Sequence, residues 1–143
     1  MTDTVSKKFI LAINPGSTST KIAVYENLEP LFVQNIAHHK KDLEKFKNIN
    51  EQYEYRKKTI LKTVSDKKFD IESLSAVVAR GGLMKPIEGG VYPINQRMID
   101  DLIAGVSGKH ASNLAAVIAY GISWDLGLRS YVVDPPVIDE FTP

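Results

Sequence analysis

Asn14-Pro15-Gly16-Ser17-Thr18-Ser19-Thr20-Lys21 lies between two short apolar runs, Phe9 to Ile13 and Ile22 to Tyr25. Such runs on either side of a polar, Gly-containing stretch read as the two strands of a hairpin. Gly16 permits a tight turn whose backbone a ligand can approach closely. Ser17, Thr18, Ser19 and Thr20 offer hydroxyl donors, and the turn amides can form an anion-binding concavity. Lys21 adds a point charge suited to a phosphate. The stretch differs from the P-loop, which needs G-x-x-x-x-G-K-[ST] and leads into a helix rather than a strand. A plain polar hairpin turn is the alternative; Asn14 before the turn and Lys21 after it favour phosphate.

Outward from this hairpin the chain reads as α/β. Leu31 to Ala37 forms a third strand after Glu29-Pro30, so the first three strands make an antiparallel meander. The stretch from His38 to Asn48 is charged; His38-His39 beside Lys40-Lys41 lacks metal-ligand spacing and reads as a solvated face. A helix is expected from about Asn50, a good N-cap, to about Val64, with Tyr53, Ile60, Leu61 and Val64 near one side. Ala76 to Ala79 is a short buried strand ending at Arg80-Gly81-Gly82. Asn95 caps a helix carrying Met98, Ile99, Leu102 and Ile103, which Gly105 stops. Ala111 to Leu126 is the clearest helix, with Gly127 as its end. Tyr131 to Val133 is a fifth strand running into Asp134-Pro135-Pro136.

Composition narrows the class. A chain of 143 residues suits one domain with a proper core. Hydrophobic residues make up 43% and charged residues 24%, the balance of a globular domain. Lys plus Arg number 18 against 17 acids, a net charge of +1 that makes no electrostatic case for nucleic acid. Without cysteine there are no disulfides and no thiolate metal sites. No apolar run approaches a membrane span, and Met1 to Lys8 is too polar for a signal peptide, so the cytoplasm is the expected location.

Ligand sites in α/β sheets lie at the carboxyl ends of strands. Arg80 closes strand four ahead of two glycines that leave room for a ligand. Asp134 closes strand five ahead of two prolines. His110 stands just before a helix N-terminus, where free amides favour an anion. Each has a plainer reading: a solvated arginine, turn chemistry at Asp-Pro, and a surface histidine beside a helix start.

Taken in order, Ile13-Asn14-Pro15-Gly16-Ser17-Thr18-Ser19-Thr20-Lys21, Val78-Ala79-Arg80-Gly81-Gly82, His110-Ala111-Ser112-Asn113 and Val133-Asp134-Pro135 resemble the butyrate kinases, with Tyr53-Glu54-Tyr55-Arg56 and Gly89-Gly90-Val91-Tyr92 in keeping. These belong to the acetokinase family, in the superfamily of sugar kinases, Hsp70 and actin. The resemblance runs from about Lys8 to Pro143. It implies an actin-like ATPase (ribonuclease H-like) α/β domain, with a mixed sheet of about five strands, an antiparallel N-terminal meander and flanking helices. It also implies that residues 1–143 are the N-terminal domain of a two-domain kinase whose active site lies in the cleft, the C-terminal domain being absent from this chain. The implied reaction is reversible phosphoryl transfer from ATP to butanoate or a similar short-chain acid, with Mg2+. Under the resemblance Asn14, Gly16, Ser17, Ser19 and Lys21 hold ATP and its metal. Asp134 lies near the metal and the attacking group, Arg80 pairs with the substrate carboxylate, and His110 stands by the phosphoryl path. Partners are then the carboxylate and ATP, with a homo-oligomer for the full-length protein and neither nucleic acid nor membrane. A domain that keeps only nucleotide, phosphate or partner binding is the alternative.

Overall fold

The computed structural model describes residues 6–80, 90–106, 108 and 110–133. Apolar residues alternate along strands β1 (Phe9–Pro15), β2 (Ser19–Glu26), β4 (Ala76–Arg80) and β6 (Arg129–Val133), and that alternation fixes which face they bury. Strands β3 (Glu29–Ala37) and β5 (Val91–Pro93) complete a six-stranded sheet in the order β3-β2-β1-β4-β6-β5. The β1-β2-β3 meander is antiparallel, β4 runs parallel to both β1 and β6, and β5 returns antiparallel on the edge. The sheet is therefore mixed, with one strand more than the sequence suggested. Val91–Pro93 is short, flanked by glycines upstream and dependent on β6 for its pairing, so no local periodicity marks it.

The register puts Leu11 beside Val24 and Val77, and Ile13 beside Ile22 and Ala79. All six are buried on one face, together with Val132. That face receives helices α2 (Tyr53–Asp66), α3 (Gln96–Ala104) and α4 (Asn113–Leu126) through Ile60, Val64, Ile99, Leu102, Leu114, Ile118 and Ile122. Helix α4 packs on β4 and β6 and leads into β6, which sets its N-terminus toward the carboxyl end of these parallel strands.

Local signals explain most helix ends. Asn95 Oδ1 accepts the Met98 N–H at 2.8 Å, as an N-cap should. Gly105 and Gly127 both end helices at φ 69°, in the left-handed conformation that favours glycine. The start expected at Asn50 is shifted: Asn48 caps a 3-10 turn, Ile49–Gln52, in a reciprocal capping box with Glu51, and α2 follows from Tyr53. Asn50 instead donates its side-chain amide to the Ile103 carbonyl at 2.8 Å, tying this turn to α3. A single helical turn, α1 (Lys40–Leu43), lies within the charged segment.

Candidate active-site groove

The face of the sheet opposite the helices carries Ala12, Asn14, Lys21, Ala23, Tyr25, Val33, Val78 and Arg80, because side chains alternate along each strand. A groove of about 530 Å³ runs over this face. Its charged and amide lining residues gather at the carboxyl end of the parallel strands, with Tyr25 toward the other end. Asn14 on β1 pairs with Lys21 on β2. One residue beyond the Ile13–Ala79 pair come Asn14 and Arg80 on adjacent strands, and Arg80 in turn pairs with Val133 on β6. Lys21, Asn14, Arg80 and Val133 thus form a row across four neighbouring strands. The groove offers two cations and an amide on an apolar floor of Ala12, Ala23, Val33, Val78 and Val133, and no carboxylate lines it among the described residues. Such a surface suits an anion with a small apolar part.

At the hairpin tip the Gly16 N–H donates to the Ser19 carbonyl at 2.7 Å, and the chain reverses through the exposed Ser17 and Thr18. Gly16 lies outside the left-handed region, and a Cβ built on it meets nothing closer than Ser19 Oγ at 3.6 Å. The turn itself can therefore be made without glycine. A requirement for glycine here would come from a group approaching from outside.

Thr20 is turned away from the tip. It is fully buried on the helix side, where Arg56 Nη1 donates to its Oγ1 at 3.1 Å and His38 Nε2 lies 2.7 Å from the same oxygen. Its hydroxyl serves the fold, unlike those of Ser17 and Thr18. His38 corrects the expectation of a solvated histidine pair: only His39 is exposed, while His38 is buried, edge-on to the Tyr55 ring. The His38 N–H also donates to the Thr18 carbonyl at 2.9 Å, which pins the end of β3 to the turn.

Burial, and next the Arg56 charge, hold the His38 imidazole below its ordinary 6.5, with Asp42 opposing. The unfolded chain therefore takes up a proton at this residue before the folded one does. Stability from His38 is complete above pH 6.5 and is lost as pH falls through the folded value. Urea unfolding between pH 7.5 and 5 should show a steeper loss in the wild type than in His38→Gln, by up to about 1.4 kcal/mol per pH unit. Parallel profiles would place His38 in a solvated setting.

His110 sits at the same end of the sheet but on its helix side, lining a small cavity with Asn48, Asn50 and Asn113 rather than the groove. Its Nδ1 accepts the Ser112 N–H at 3.0 Å and lies 2.8 Å from Ser112 Oγ, so it shapes the start of α4. Asp134, Gly81 and Gly82 lie outside the described residues. Two residues with no local signal connecting them to the turn, His38 and Arg56, prove to be its buried supports.

Over 131 residues the chain is 55% identical to butyrate kinase 2 of Clostridium acetobutylicum, a match covering 92% of this chain and 37% of that protein. The chain is homologous to the butyrate kinases. A probable butyrate kinase of Clostridium botulinum (strain Eklund 17B / Type B) is 50% identical over the same length and shares. The chain therefore spans little more than a third of the length of these butyrate kinases. No protein-family model matches it. Among solved structures, the acetate kinase of Porphyromonas gingivalis superposes with a TM-score of 0.54 at 18% identity, covering 95% of this chain and 39% of that one. The acetate kinase of Entamoeba histolytica gives 0.50 at 15% identity, covering 91% and 35%. At such identities the likeness is one of fold. It is the α/β, actin-like ATPase fold expected from the sequence.

Proposed function

We propose that this chain forms one wall of a site for reversible phosphoryl transfer between ATP and butanoate or a similar short-chain acid. What carries the reading is the row Lys21–Asn14–Arg80, cationic and free of lining carboxylates among the described residues, in a homologue of the butyrate kinases. Transfer of a phosphoryl group asks chiefly for positioning and for neutralisation of charge on its oxygens. Lys21, with Ser17, Ser19 and the amides beyond Gly16, would take the ATP phosphates. Arg80, on the adjacent strand to Asn14, would pair with the acid's carboxylate, bidentate where its fork allows. The apolar floor between them suits a short acyl chain. An ionised carboxylate needs no strong base, which leaves Asp134 a role beside the metal; His110, outside the groove but at the same end of the sheet, would meet the phosphoryl path only past the strand ends.

Mg2+ would shield charge on the phosphate oxygens. Among the described residues no cluster of three or more His, Asp or Glu could hold a metal. Among the described residues Asn14 is the groove's one side-chain amide, beside Lys21 and Arg80, which fits an ion held mainly by phosphates and water. In this reading the chain is the N-terminal domain of a longer kinase whose other domain closes the groove, acting in the cytoplasm as part of a homo-oligomer. No helix among the described residues is long and apolar enough to cross a membrane.

Calorimetric titration with Mg·ADP tests the turn. Lys21→Ala should weaken binding by about 1.5–3 kcal/mol, the range for a hydrogen bond to a charged group. Gly16→Ala should leave unfolding stability within about 1 kcal/mol of wild type yet weaken binding at least about tenfold. Wild-type affinity in both variants would return the stretch to an ordinary hairpin turn.

A further inference from the structure

Arg56 is fully buried on α2, a position charged side chains rarely take unless paired. No carboxylate among the described residues lies within ion-pair distance of it. Its Nε donates to Gln52 Oε1 at 2.9 Å, one helical turn back. Among the described residues its other bonds go to the hairpin tip. Nη1 donates to the Ser19 carbonyl at 3.0 Å and to Thr20 Oγ1 at 3.1 Å, and Nη2 to the Ser17 carbonyl at 3.2 Å.

These bonds set the direction of the turn's peptide groups. The described peptide bonds are trans, and in a trans peptide the C=O and the next residue's N–H point in opposite directions. Drawing the Ser17 carbonyl inward therefore turns the Thr18 N–H outward, away from the guanidinium. The guanidinium charge, unmatched by an acid among the described residues, also lies one layer of backbone behind the turn, in a buried setting where fields act strongly.

We propose that Arg56 is the positioning residue of the phosphate turn, holding the Ser17–Thr20 backbone with an amide facing outward and placing a fixed positive charge beneath it. This rests on the reading of the turn as a phosphate site. It assigns Arg56 no contact with the ligand; it acts through the backbone it fastens.

The test uses the whole chain in three variants: Arg56→Lys keeps the charge and loses the fork, Arg56→Met loses both, and Ile60→Val perturbs the same helix away from the turn. Amide exchange by NMR compares Gly16, whose N–H closes the hairpin tip, with Val24 in the middle of β2. In Arg56→Lys the Gly16 to Val24 ratio should rise at least about tenfold, and Mg·ADP affinity should fall about three- to tenfold. Arg56→Met should lower affinity at least about thirtyfold, since the charge goes as well. Ile60→Val should leave affinity unchanged and should not raise the ratio, since a lower global stability speeds exchange at Val24 rather than at Gly16. If Arg56→Met does not fold, Arg56→Lys decides. An unchanged Gly16 ratio in Arg56→Lys, or the same changes in Ile60→Val, would overturn the proposal. Absence of ADP binding in the wild type would overturn the phosphate reading instead, and the exchange ratio would still decide whether Arg56 holds the turn.

Discussion

Incubated with ATP, Mg2+ and butyrate, this chain by itself is expected to form acyl phosphate at less than about 0.01 per second, some thousandfold below a typical enzyme turnover of about 10 per second. Among the described residues, those lining the groove that holds Lys21, Asn14 and Arg80 all come from the sheet, on one side of it. Preorganised charge around the transferring group supplies most of the rate in such reactions, and one lost donor alone costs about a hundred- to a thousandfold. Groups that act as a unit are grossly non-additive, so an unopposed wall should be nearly inert rather than half as active. The chain spans 37% of the length of its butyrate kinase relatives, whose remaining residues are the natural source of an opposing wall. A coupled assay of acyl phosphate formation, with the chain alone and with the remainder of such a relative supplied in trans or in one polypeptide, measures this. Recovery of turnover only in the joined form supports the one-wall reading. Turnover in the normal range from the chain alone would refute it.

Thr20→Val should destabilise the fold by about 2–4 kcal/mol, a large share of the 5–15 kcal/mol by which a domain of this size is held. The two side chains have nearly the same shape, so the loss is not one of packing. It comes from the hydroxyl oxygen, which Arg56 Nη1 and His38 Nε2 share in a site without solvent. Removing it strips one bond from a buried cation and leaves His38 with no side-chain partner among the described residues, its Nδ1 already having none. Each such buried group left unpaired costs about 1–3 kcal/mol. Thr20→Ser, which keeps the oxygen and drops a methyl, should lose no more than about 1.5 kcal/mol. Urea midpoints compare the three proteins. A loss in Thr20→Val no larger than that in Thr20→Ser and below about 1 kcal/mol would dissolve the Arg56–Thr20–His38 network as a source of stability.

The sequence alone determined what depends on neighbours in the chain. The hairpin and meander follow from alternation on either side of turn residues, the Asn95 cap from one side chain reaching three residues on, and the stops at Gly105 and Gly127 from a backbone conformation glycine adopts freely. The motifs that carry the butyrate kinase resemblance also stand in the sequence, and the identity to those kinases agrees with them. Tertiary structure decided which of these pieces meet. Asn14 and Arg80 became neighbours because β4 joins β1 in parallel, a pairing made across more than sixty residues that no local pattern encodes. His110, equally polar and read from the sequence as standing just before a helix, went to the helix side of the sheet because α4 packs there. His38 looked like solvated charge in a lysine-rich stretch, and Arg56 stood only in a stretch in keeping with the butyrate kinase resemblance. They were buried because the covered face of β2 brings Thr20 to them, and a buried hydroxyl has to be satisfied by whatever the fold sets beside it. Local chemistry thus specifies the elements and the turn, whereas the choice of strand order and covered face specifies the groove and the network beneath it.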